Sequence, residues 1–81
     1  MNDELSMHAS VALLNNTHTA HFESGAPLLL RRGDTGTIVM TYGDGAFEVE
    51  FADRSGRTYA LVTLSADQLL ALHDAPERAS A

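Results

Sequence analysis

Two histidines and a glutamate close together, His18, His21 and Glu23, are the residues of this chain best suited to hold a metal ion. Imidazole nitrogens and a carboxylate oxygen are ordinary donors to zinc or nickel, and a curled segment would bring three of them to one ion. There is no cysteine to add a thiolate, and the spacing does not match paired ligands on one helix turn. Solvated loop histidines explain them better, so neither a metal nor any other cofactor is expected. Four arginines, Arg31, Arg32, Arg54 and Arg57, fall in two polar stretches that read as turns. Turns meeting at one end of the fold would let these side chains grip a carboxylate or a phosphate. The plainer expectation is that Arg54 and Arg57 pair with Asp53, Glu48 or Glu50 across strands, at well under about 1 kcal/mol each. These four arginines, with His18 and His21, are the candidate partner-binding residues.

Glu48 and Glu50 form a carboxylate pair of the sort that general acid–base chemistry uses. They alternate with Phe47, Val49 and Phe51, however, and a strand with one polar face accounts for that pattern without chemistry. Serine, histidine and aspartate are all present, but no nucleophile elbow, no paired histidines on a helix and no glycine loop entering a helix accompanies them. Arg32-Gly33-Asp34 spells an adhesion tripeptide, yet a tight turn before a strand selects the same residues. A chain of 81 residues also has little room for a deep pocket. No enzyme and no catalytic residue is expected.

Eleven acids against five arginines and no lysine give a net charge of −6, which repels phosphate backbones at long range. Nucleic acid is therefore disfavoured as a partner. An unidentified, basic protein is compatible with the same charge, and so is plain solubility. The lack of cysteine favours a reducing compartment. The acidic start Met1-Asn2-Asp3-Glu4 does not resemble a signal peptide, and no apolar run approaches the ~20 residues of a membrane span. A cytoplasmic location without membrane attachment is the expectation. A chain this short holds one core and is marginally stable, so a homodimer would help it.

The elements that must position these residues follow from periodicity. Residues 1–7 and 74–81 are polar or mix proline with small and charged residues, which predicts flexible ends around a single domain at 8–73. Val11-Ala12-Leu13-Leu14 predicts a short buried strand, and Asn15 to Pro27 a long loop, with Thr17 to Phe22 as a weak edge strand at most. Thr37 to Tyr42, Phe47 to Phe51 and Thr58 to Leu64 predict a three-stranded meander, joined by turns at Gly43–Gly45 and Asp53–Arg57. Strict alternation turns Ile38, Met40, Val49, Phe51, Tyr59 and Leu61 inward and leaves Val39, Ala60 and Val62 on the outer face. Ser65-Ala66-Asp67-Gln68 matches a capping box and predicts a short helical turn, after which Leu69, Leu70 and Leu72 close the core. A short strand, a long loop, a meander and a final turn suit a mostly β fold: a small SH3-like barrel of about five short strands with a short C-terminal helical turn. The alternative is an open meander that dimerises through an edge.

The string Leu30-Arg31-Arg32-Gly33-Asp34-Thr35-Gly36-Thr37-Ile38-Val39 carries a resemblance, together with Glu48-Val49-Glu50-Phe51, Gly56-Arg57-Thr58 and Ala60-Leu61-Val62-Thr63-Leu64. In this order the motifs resemble a small bacterial family, domain of unknown function four-nine-two-six. The likeness runs from Val11 to about Leu70 and departs in the longer stretch Asn15 to Pro27. It implies a free-standing SH3-like module with no family-wide activity, so no site is carried over. Gly33, Gly36, Ile38 and Val39 are also similar to the glycine-turn-strand motif of ribosomal and transcription-elongation SH3-like domains, which implies RNA or protein as a ligand. The function expected is a non-enzymatic protein-binding or regulatory module, a toxin-neutralising or accessory partner being one form of it. An RNA-associated domain and a self-associating structural module are the alternatives.

Overall fold

The structure is a computed structural model in which residues 5–79 are described. Among the described residues there are seven strands and no long helix: β1 (Ser10–Leu13), β2 (Thr17–Ala20), β3 (Pro27–Leu30), β4 (Thr35–Tyr42), β5 (Ala46–Ala52), β6 (Thr58–Ser65) and β7 (Leu69–Ala71). They make a five-stranded antiparallel sheet in the order β6-β5-β4-β1-β7 and a separate hairpin, β2-β3. The mostly β expectation holds. The count of about five strands and the single closed barrel do not: seven strands lie in two sheets, and the larger sheet ends openly at β6 and β7. The helical turn before β7 is present as a 3-10 turn, Ala66–Gln68, whose Gln68 side chain accepts from the Ser65 amide at 2.9 Å.

The stretch expected as a long loop is the hairpin. Thr17 pairs with Leu30 and Thr19 with Leu28, so these four face inward while His18, Ala20 and Leu29 face solvent. Neither strand announces itself: each is only four residues long, β2 is polar, and the three leucines of β3 follow a proline without alternation. The hairpin seats Leu30 fully and Leu28 partly against the core of Val11, Leu13, Ile38, Phe47, Val49, Phe51, Ala60, Leu64 and Leu69.

Two bulges explain where simple alternation misplaces side chains. Ile38 pairs with Val49, but Met40 pairs with Glu48, so Val39 is an extra residue. From there the strand's sides exchange, and Met40, expected inside, shares the outer face with Glu48 and is 48% exposed. In β6, Phe51 pairs with Ala60 and Ala52 with Thr58, which makes Tyr59 the extra residue. Ala60, Val62 and Leu64 therefore lie beside Phe51, Val49 and Phe47 on the buried face, and Leu61 is exposed. This reverses the inward assignment of Leu61 and the outward assignments of Ala60 and Val62. Gly36 is required by a close approach: a Cβ there would stand 2.7 Å from the Glu50 carbonyl oxygen and 2.8 Å from Val49 Cγ1.

Candidate functional site

Strand direction brings both arginine-bearing turns to one end of the sheet. The turn at Arg31–Asp34 feeds β4 and the turn at Asp53–Arg57 leaves β5, its antiparallel neighbour. The first turn is closed by side chains and backbone together. The Asp34 carboxylate accepts from the Arg31 amide at 2.8 Å, and Gly33, at φ +93°, donates its amide to the Leu13 carbonyl at 2.8 Å. In the second turn Asp53 Oδ1 accepts from the Ser55 hydroxyl at 2.7 Å, the Ser55 amide at 2.9 Å and the Arg57 amide at 3.0 Å. The Ser55 hydroxyl above all, with the Arg57 amide next, holds the Asp53 carboxyl below its ordinary range. Between the turns, partial burial pushes the Tyr59 phenol up, reinforced by the negative charges of Asp34 and Asp53.

The hairpin reaches the same end. Phe22 donates its amide to the Tyr59 carbonyl at 2.8 Å, and the Arg57 guanidinium meets Glu23 at 2.8 Å. Arg57 thus pairs with the hairpin tip and not with Asp53, Glu48 or Glu50 as expected; Asp53 takes only its backbone amide. Arg31, Arg32 and Arg54 are exposed. His21 Nδ1 accepts from the amides of Glu23 at 3.1 Å and Ser24 at 3.4 Å, so this imidazole closes the hairpin turn. His18 points to solvent from β2. Among the described residues no group of three histidine, aspartate or glutamate side chains is placed to hold a metal ion.

The outer face of the large sheet carries a second constellation. Glu48 and Glu50 project from its middle reaches, and hydroxyls hold both. Glu48 accepts from Thr63 at 2.6 Å and from Tyr42 at 3.3 Å, while Glu50 accepts from Thr58. Removal from water and the neighbouring Glu48 carboxylate push the Tyr42 phenol up. Register sets Met40 and Leu61 beside these carboxylates and Leu70 across from Ala12 on the same face. Beside Glu50 lies an open cleft of about 320 Å³, lined by Ser10, Thr35, Thr37, Ala52 and Leu72 among others. The face therefore joins fixed carboxylates, hydroxyls and exposed apolar side chains.

A family model, Domain of unknown function (DUF4926), matches residues 7–71. The chain belongs to the DUF4926 family. Among curated proteins and among solved structures, none matches it. The DUF4926 match covers both arginine-bearing turns, the hairpin and the outer face as far as β7. Of the residues singled out in the sequence, Arg57 and the hairpin around His21 are brought together, while His18 stands apart on the opposite side of the same hairpin. Met40, Leu61 and Leu70 were missed as surface residues. For Met40 and Leu61 the signal is an apolar content on β4 and β6 too high for one face, and the bulges that distribute it are invisible to alternation; of the three leucines expected to close the core, Leu69 does so while Leu70 and Leu72 are exposed.

Proposed function

We propose that this chain is a non-enzymatic, cytoplasmic protein-binding module with an SH3-like arrangement of strands, whose ligand is a basic segment of a partner protein. The observation that carries this reading is the uncovered outer sheet face. Met40, Tyr42, Leu61, Leu70 and Leu72 are each more than a third exposed there, around carboxylates held by hydroxyls. Apolar side chains gathered on one face favour a protein contact, and fixed carboxylates in a molecule of charge −6 select a cationic one. The SH3-like part is supported by connectivity: a hairpin between β1 and the meander, a 3-10 turn after it, and a last strand that returns to β1. A regulatory or accessory role fits, neutralisation of a toxic protein included.

The test is capture of partners from native cells on the tagged chain, beside a variant carrying Glu48→Lys and Glu50→Lys. A specific basic protein should be retained by the first and reduced at least tenfold on the second. Retention of no specific protein by the unaltered chain ends this reading. The RNA-associated alternative draws on the exposed Arg31, Arg32 and Arg54 at one end. Asp34, Asp53 and Glu23 are interleaved with those arginines, which breaks up the positive field that a phosphate backbone needs. A salt-sensitive shift of labelled RNA, weakened by Arg31→Ala, would favour RNA instead.

A further inference from the structure

The large sheet has two open edges, and they are not equivalent. β7 is three residues long, a length that gives little to pair with. β6 is eight residues long, and its one recorded backbone bond away from the sheet is the Tyr59 carbonyl accepting from Phe22 at its first turn-side end. From Ala60 to Leu64 no further backbone bond is formed on the outer side of the strand among the described residues; the Ser65 amide is taken by the Gln68 side chain, and β2 comes near the strand without a backbone bond to it. The protections that usually guard such an edge are missing over this stretch. Ala60-Leu61-Val62-Thr63-Leu64-Ser65 contains no lysine, no proline and no charge, and the sheet's bulges lie outside its pairing with β5.

We propose that β6 pairs antiparallel with β6 of a second copy, which makes a ten-stranded sheet across a twofold axis near Leu61 and Val62. A second copy is the occupant favoured by the symmetry of an antiparallel edge and by the lack of charge along the strip itself. Two molecules of charge −6 repel over most of their surface, whereas this strip is neutral and carries the apolar Leu61 to its solvent side. An antiparallel edge satisfies the twofold rule by itself, since each residue meets its symmetry mate's counterpart and every donor finds an acceptor. The five residues Ala60 to Leu64 make a small interface, so the dimer belongs to the weak, concentration-dependent class. Its strength rises with salt, because screening removes the repulsion and leaves the backbone pairing untouched. It is a separate proposal from the basic-partner reading, although Leu61 belongs to both surfaces and Thr63 holds Glu48.

Sedimentation of the full chain from micromolar to millimolar concentration, at low and high NaCl, tests it beside a variant with Leu61→Lys and Thr63→Lys. Both positions are exposed, so circular dichroism should show an unchanged fold. The unaltered chain should dimerise with rising concentration and more readily in high salt, and amide exchange along β6 should slow as it does. The variant should stay monomeric, even though its two lysines reduce the net charge from −6 to −4 and with it the general repulsion. A chain that is monomeric throughout overturns the proposal, as does a dimer that survives the lysines or leaves β6 amide exchange unchanged. Capture of a basic protein is read separately with the Glu48 and Glu50 variants and not with the Leu61 and Thr63 variant, whose positions lie on the same outer face.

Discussion

Gly36 shows how one missing atom sets the contact between β4 and β5. A Cβ at this position would meet the Glu50 carbonyl, Val49 Cγ1 and Phe51 Cε2 at 2.7, 2.8 and 3.0 Å, and two of those belong to side chains already locked in the core. Gly36→Ala should therefore destabilise the protein by about 1–3 kcal/mol, read as a lower urea midpoint; an unchanged midpoint would mean that the strands yield. Asp53 makes a different kind of residue-scale statement. Its carboxyl is held below its ordinary value in the folded chain, so the charged form is the one that folding favours. The stability it contributes is present above the unfolded carboxyl value of 3.8 and is lost as pH falls through the lower folded value. Asp53→Asn should flatten the drop in melting temperature below that pH and leave its slope at neutral pH unaltered. A variant whose acid limb matches the parent's would remove Asp53 from the account.

At the scale of elements, the strands were largely legible and their rotation was not. The Phe47–Phe51 alternation identifies β5 and its faces without ambiguity, because no bulge interrupts it. In β4 and β6 one extra residue each, Val39 and Tyr59, turns the following side chains over, and a run with apolar residues on both sides offers no clue to where that happens. The consequence is measurable on β6. Leu64 is 3% exposed and Leu61 39%, so Leu64→Ala should cost about 2–5 kcal/mol and Leu61→Ala less than about 1 kcal/mol. Equal losses would restore the unbulged register. The hairpin β2-β3 was missed for a related reason: its polar Thr-His-Thr-Ala strand gains its regularity from pairing with Pro27–Leu30, ten residues on. That pairing places Glu23 against Arg57 and turns His21 into a turn-closing acceptor, so the metal reading of His18, His21 and Glu23 loses its geometry.

For the whole molecule, charge and an open sheet dominate behaviour. With eleven acids, five arginines and an exposed Arg57–Glu23 pair worth little, mutual repulsion outweighs attraction. At micromolar protein, raising NaCl from ~10 mM to ~0.15 M shortens the screening length from about 30 to about 8 Å and should raise the melting temperature. A fall instead would show that ion pairs contribute more than repulsion removes. The sequence alone determined the mostly β class, the turns at Gly33, Gly43–Gly45 and Asp53–Arg57, the acidic balance and the membership of a family whose motifs it spells out, because these depend on local backbone preference, composition and motif order. Tertiary structure alone decided that the strands form an open sheet with a hairpin laid on it, that Met40 and Leu61 face water beside Glu48 and Glu50, and that Arg57 answers to Glu23. Those outcomes depend on which distant strands pair and in what register, and a single bulged residue changes them while leaving the local pattern almost the same.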